Sequence, residues 1–256
     1  MVACIGAPPE AELVAGPGDV KAVLKPRPPR SHKGDYGRLL IIGGSEFFTG
    51  APSLAALAAF RTGVDLAIVA TPREVVNTIR SYSPNIIAIP LKSEKHLSPC
   101  DLEVLGEEVR KANCVILGPG LGLHEETVEA VLELVKLLVK LGKPFLIDAD
   151  GIKAVSRDTG VLKDGLGVLT PHGREYAMLT GEKPPLNLQE KIESVKKAAL
   201  RLKVVILLKG HVDVISDGEK TKINLTGNPG MTVGGTGDVL SGIVGCLMAF
   251  GVTPFK

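Results

Sequence analysis

Residues 228–242 read NPGMTVGGTGDVLSG, with one acid, Asp238, at the threshold of an apolar run. Gly234, Gly235 and Gly237 allow backbone to approach a ligand closely and to adopt positive φ. A helix beginning at Thr236 would aim unpaired N–H groups and partial positive charge at that ligand, which suits a phosphate. The acid then has two readings. It complements the helix dipole, as many first-turn acids do, or it is a general base for a hydroxyl that attacks the phosphate. The spacing is not that of a Walker loop, and no GxGxxG follows the first apolar strand.

Elements that could position such a loop are legible upstream. RLLIIGG (38–44), VDLAIVAT (64–71), NIIAIPL (85–91), CVILGPG (114–120), KPFLIDADG (143–151), GVLTPHG (167–173) and VVILLKG (204–210) are short apolar runs. Between them lie helical patterns at 51–63, 72–81, 101–112, 125–142 and 188–202, and a hairpin is expected over 212–226 across Asp217-Gly218. Solidly apolar strands alternating with helices predict an α/β fold, a mostly parallel central sheet with helices on both faces. Ligands in such sheets bind at the carboxyl ends of the strands. Those ends here carry IGGS, LGPGLG, IDADG, LTPHGRE and LKG, so glycine and polar groups gather at one rim.

Composition narrows the function classes. Lys and Arg number 30 against 28 Asp and Glu, aromatics are 4% and Trp is absent, so neither nucleic acid nor an anionic membrane is an expected partner. No apolar run is long enough to span a bilayer. Cys4, Cys100, Cys114 and Cys246 are scattered without a CxxC pair, and Cys114 and Cys246 lie in apolar runs as buried free thiols would. A reducing, cytoplasmic setting is expected. The Pro- and Gly-rich residues 1–30 lack periodicity and read as a linker or tail.

GGTGDVLSG resembles the anion-hole and base motif of the ribokinase-like superfamily. Together with HKGDYGRLLIIGGS (32–45), TGAP (49–52), LGPGLG (117–122), IDADG (147–151), LTPHGRE (169–175), LLKGHVDVIS (207–216) and GNPGMTVGGTGD (227–238), it is similar to the ADP- or ATP-dependent NAD(P)H-hydrate dehydratases. The resemblance implies a ribokinase-like fold and a repair enzyme. Its substrate would be the S form of hydrated NADH or NADPH (NADHX, NADPHX), its cosubstrate ADP or ATP, and its metal Mg²⁺.

Asp238 would be the catalytic base, and Ala51, Gly122, His172 and Asp238 would meet the hydrated cofactor. Lys209, Gly210, His211, Val212, Asp213, Gly235, Thr236 and Gly237 would meet the nucleotide, and Glu175 would act on Mg²⁺ through water. Each has a plainer reading. Ala51 begins a helix, Gly122 makes a turn, His172 caps the next helix, and Lys209 is surface charge. Asp148 and Asp150 position substrate or metal, or serve the strand end.

The resemblance further implies that 1–30 is the tail of a preceding epimerase domain. Residues 31–256 would be the dehydratase domain, cut short at its C-terminus, in a homo-oligomer of four or more copies. Two other readings use the same motifs: a ribokinase-like kinase for a thiazole or pyrimidine alcohol, and a nucleotide-binding fragment without catalysis.

Overall fold

The apolar runs become strands β1 (Arg38–Ile42), β2 (Leu66–Thr71), β3 (Ile87–Pro90), β4 (Cys114–Leu117), β5 (Phe145–Ile147), β6 (Gly167–Leu169) and β7 (Val205–Leu208). The hairpin supplies β8 (Asp213–Ser216) and β9 (Thr221–Asn224). The computed structural model describes residues 13–24 and 26–256. Its strands form one sheet in the order β3-β2-β1-β4-β5-β6-β7-β8-β9, parallel from β3 through β7 and antiparallel across β8 and β9.

The helices are α1 (Pro17–Val23), α2 (Gly50–Thr62), α3 (Val76–Tyr82), α4 (Leu102–Lys111), α5 (Glu125–Lys140), α6 (Asp150–Val155), α7 (Gly173–Thr180), α8 (Leu188–Leu202) and α9 (Thr236–Ala249). Each central strand is buried on both faces, so alternate residues feed two cores. Leu40 and Ile42 join the core under α4, α5, α6, α7 and α8. Leu39 and Ile41 join the core under α2, α3 and α9. Gly242 and Gly245 let α9 sink against α2 and β4, because a Cβ at either would run into Ala55 or Ile116. That close packing fixes the mouth of α9 over the strand ends.

Differences from the sequence reading are local. Pro72 precedes a single 3₁₀ turn (Arg73–Val75) rather than opening an α-helix. Helix α6 is only six residues long, too short to display a 3.6-residue period. The described part of the head carries structure: Ala15 N donates to Ile223 O at 2.8 Å and Lys222 pairs with Asp19 at 2.6 Å, laying α1 along the β9 edge. Cys114 and Cys246 are buried free thiols, and burial pushes the Cys246 thiol up to about 12. Cys4 lies outside the described residues. Among the described residues, no helix is long and apolar enough to cross a membrane.

Candidate active site

From β1 the chain runs outward through β2 and β3, then returns to lay β4 on the other side of β1. The loops leaving β1 and β4 therefore flank that switch point, where open α/β sheets form their ligand crevice. Gly44 N donates to Pro119 O at 2.9 Å, tying the two loops together. Gly122 N donates to Asp150 Oδ2 at 2.9 Å, and a Cβ at Gly120 would touch the Ala51 methyl at 3.4 Å. Ala51 and Gly122 thus line neighbouring parts of one wall. Ser45 Oγ and Thr71 Oγ1 are buried beside this wall with no hydrogen-bond partner among the described residues. A buried hydroxyl without a partner costs free energy of about 1–3 kcal/mol.

Charged groups gather at the ends of β5 and β7. Asp148 is 2% exposed, and Lys209 reaches across the end of β6 to meet its Oδ1 at 2.9 Å. Ser241, on α9, donates its hydroxyl to Asp148 Oδ2 at 2.6 Å. Both carboxylate oxygens of Asp148 are therefore satisfied. The backbone here is under strain: Ala149 stands at φ 49° and ψ −120°, a conformation that a residue with a Cβ rarely adopts. It carries the chain from the buried Asp148 into α6, where Asp150 pairs with Lys153 at 2.8 Å.

At the mouth of α9, Gly235 holds the N-cap with φ 95°, and a Cβ there would press on Leu54 at 2.7 Å. Thr236 Oγ1 bonds back to Met231 O and Val233 O, each at 3.1 Å, bracing the glycine loop. Gly237 leaves open the space beside Lys209, since a Cβ would lie 3.4 Å from Nζ. Asp238 follows, on the same face of α9 as Ser241 three residues on. Burial raises the Asp238 carboxyl to about 6, and the negative charges of Asp148 and Asp150 push the same way against the pull of Lys209.

His172 and Glu175 meet at the start of α7. His172 N donates to Glu175 Oε2 at 2.9 Å while Arg174 N donates to His172 Nδ1 at 3.1 Å, a reciprocal cap. His172 Nε2 lies 3.4 Å from Glu175 Oε1. Burial holds Glu175 above the ordinary carboxylate range, with Lys209 and His172 opposing. Lys209 N donates to Pro171 O at 2.9 Å, joining this turn to β7. Beyond Lys209, the turn Gly210-His211-Val212-Asp213 is braced internally: Gly210 N donates to Asp213 Oδ1 at 2.9 Å, and Asn224 holds Oδ2 at 3.0 Å. Val212 is partly buried on the core and His211 is exposed.

Lys209, Gly237 and Asp238 thus meet around Asp148, and Glu175 feels the charges of Lys209 and Asp148. Ala51 and Gly122 sit on the crevice wall that Asp150 links to this cluster. Sequence reasoning assigned nothing to Ser45, Ala149 or Ser241. Only Ser241 carried a readable signal, its helical spacing from Asp238.

A parallel sheet closed by an antiparallel hairpin, with a glycine-braced helix mouth over its strand ends, is a ribokinase-like α/β architecture. A family model described as NAD(P)H-hydrate dehydratase matches residues 39–256, so this chain belongs to the NAD(P)H-hydrate dehydratase family. It is 50% identical over 245 residues to the bifunctional NAD(P)H-hydrate repair enzyme Nnr of Pyrobaculum aerophilum, covering 95% of this chain and 48% of that protein. The chain thus spans about half the length of the bifunctional relatives it matches.

An ADP-dependent (S)-NAD(P)H-hydrate dehydratase of Nitrosopumilus maritimus is 37% identical over 237 residues, 93% of this chain and 81% of its own length. The Bacillus subtilis ADP/ATP-dependent NAD(P)H-hydrate dehydratase, co-crystallised with ATP and Mg²⁺, superposes with a TM-score of 0.74 at 32% identity. That match covers 91% of this chain and 79% of the other.

Proposed function

We propose that this site returns the S hydrates of NADH and NADPH to the reduced cofactors while splitting ADP or ATP. The observation that carries the proposal is Asp238: a half-buried carboxyl raised to about 6, in the first turn of a helix whose mouth is bare glycine backbone. A base poised near neutral pH is suited to taking a proton from a hydroxyl. Family membership supplies the hydroxyl as that of the hydrated nicotinamide ring.

In this reading Asp238 removes the ring hydroxyl's proton as that oxygen attacks the terminal phosphorus of the nucleotide. The phosphoanhydride bond breaks, and AMP leaves from ADP, or ADP from ATP. Amides around Gly235 and Gly237, with the Lys209 ammonium beside them, stabilise the charge on the transferring group. The ring carbon–oxygen bond then breaks, driven by the ring nitrogen lone pair, and phosphate departs. Loss of a proton from the neighbouring ring carbon restores the double bond.

Glu175 offers oxygen, the donor type that Mg²⁺ takes, and is buried at the same rim. When bound with nucleotide, the ion would neutralise phosphate charge. Glu175, with Oε2 committed to the α7 cap, would reach such an ion through water by Oε1.

Incubation with the S hydrate and ADP tests the proposal. Returning absorbance of the reduced nicotinamide, with one phosphate released per turnover, is the expected result. A phosphorylated product that accumulates would instead indicate a small-molecule kinase. Nucleotide binding with no turnover would leave a binding module.

A further inference from the structure

His96, in the loop between β3 and α4, lies beside two residues from the start of α5, His124 and Glu126. One potential ligand atom from each of the three lies within 4.8 Å of the others. The imidazoles of His96 and His124 stack with centroids 4.0 Å apart and planes 27° from parallel, and His96 Nε2 is 3.3 Å from Glu126 Oε2.

We infer that His96, His124 and Glu126 form a transition-metal site of the zinc class, separate from the Asp238 centre. Two imidazoles and one carboxylate are the donors that zinc and its neighbours take, whereas Mg²⁺ and Ca²⁺ favour oxygen alone. Metal bonds of about 2.0–2.2 Å place tetrahedral ligands about 3.3–3.6 Å apart. Closing the present spread to that range requires the stacked imidazoles to turn so that one nitrogen of each faces the ion. His96 is partly exposed and Glu126 is exposed, so such rotations meet little packing and a fourth position remains open to water.

The basic side chains nearby are already paired. Lys95, next to His96, is turned to Glu46 at 3.3 Å, and Arg157 lies at 3.5 Å from Glu125. The positive end of α5 opposes a metal, and the Glu126 carboxylate in its first turn offsets part of that field. The backbone is also set in place: Thr127 Oγ1 donates to Leu97 O at 2.8 Å, holding the loop against α5. A metal here would clamp that loop to the helix two residues beyond Gly122, at the edge of the crevice.

The test uses the full chain, stripped with EDTA and titrated with Co²⁺. A single site giving the visible absorption of four- or five-coordinate Co²⁺, displaced by Zn²⁺, is expected. H96A and H124A should each weaken binding about tenfold or more, E126Q should weaken it as well, and H32A should leave it unchanged. Zn²⁺ should raise the melting temperature of the parent and of H32A but not of H96A or H124A. All four variants should melt like the parent in EDTA, because the substituted side chains lie at the surface. No Co²⁺ band, or a band unchanged in H96A and H124A, would overturn the proposal.

Discussion

The end of β5 and the mouth of α9 each present an aspartate to the same rim, and the two are held in opposite ways. Asp148 is sealed from water, with Lys209 at 2.9 Å on one oxygen and Ser241 at 2.6 Å on the other. Asp238 stands one helical turn before Ser241, and burial and like charge, with no hydrogen bond among the described residues, govern its carboxyl. One acid has its charge fully compensated; the other keeps a proton to nearly neutral pH. The pair shows how one rim can hold a compensated carboxylate beside an uncompensated one. Asp148 anchors Lys209 and at the same time raises its neighbour.

Removing the uncompensated acid gives the largest expected effect. D238N should bind nucleotide with near-parental affinity and lose turnover by about 10³-fold or more. Single-turnover and equilibrium binding measurements separate the two quantities. Turnover within a few-fold of the parent would erase the distinction between the acids.

Removing the compensation acts on the other side of the comparison. K209M strands the buried carboxylate of Asp148 and should lower stability by about 3 kcal/mol, read by denaturant unfolding. It should also move the acid limb of the pH–rate profile upward, because Lys209 pulls the Asp238 carboxyl down. An unchanged limb would mean that Lys209 does not face the base.

A smaller effect concerns folding alone. The folded chain holds the Asp238 proton more tightly than the unfolded chain does, so ionisation lowers stability as pH rises from 3.8 to about 6. D238N lacks that cost. It should therefore exceed the parent in stability by about 1–2 kcal/mol at pH 7, with partial solvation of the carboxylate reducing the full shift. The gain should vanish below about pH 4. An equal gain at both pH values would assign it to packing instead.

The architecture was readable because it rests on period and punctuation. Helix α8 follows its sequence pattern from Leu188 to Leu202, and the parallel strands stand out as apolar runs, several of them closed by glycine. The chemistry of the rim was readable only in part. Composition and spacing placed Asp238 behind Gly235 and Gly237, but the choice between dipole partner and base depends on burial, which spacing does not encode. Asp148 likewise remained open because its partners, Lys209 and Ser241, lie 61 and 93 residues away. The strain at Ala149 was invisible, since alanine carries no signal for positive φ. The orphaned Ser45 hydroxyl emerges only where the β1 and β4 loops close over it.

The most direct measurement is a carbon NMR titration of the Asp238 carboxyl in the free protein, assigned by its loss in D238N. A midpoint of about 6, tracked by the rise of kcat/KM with pH, is the predicted result. A midpoint at the ordinary aspartate value, with activity flat through that range, would show that the mouth of α9 does not hold a base.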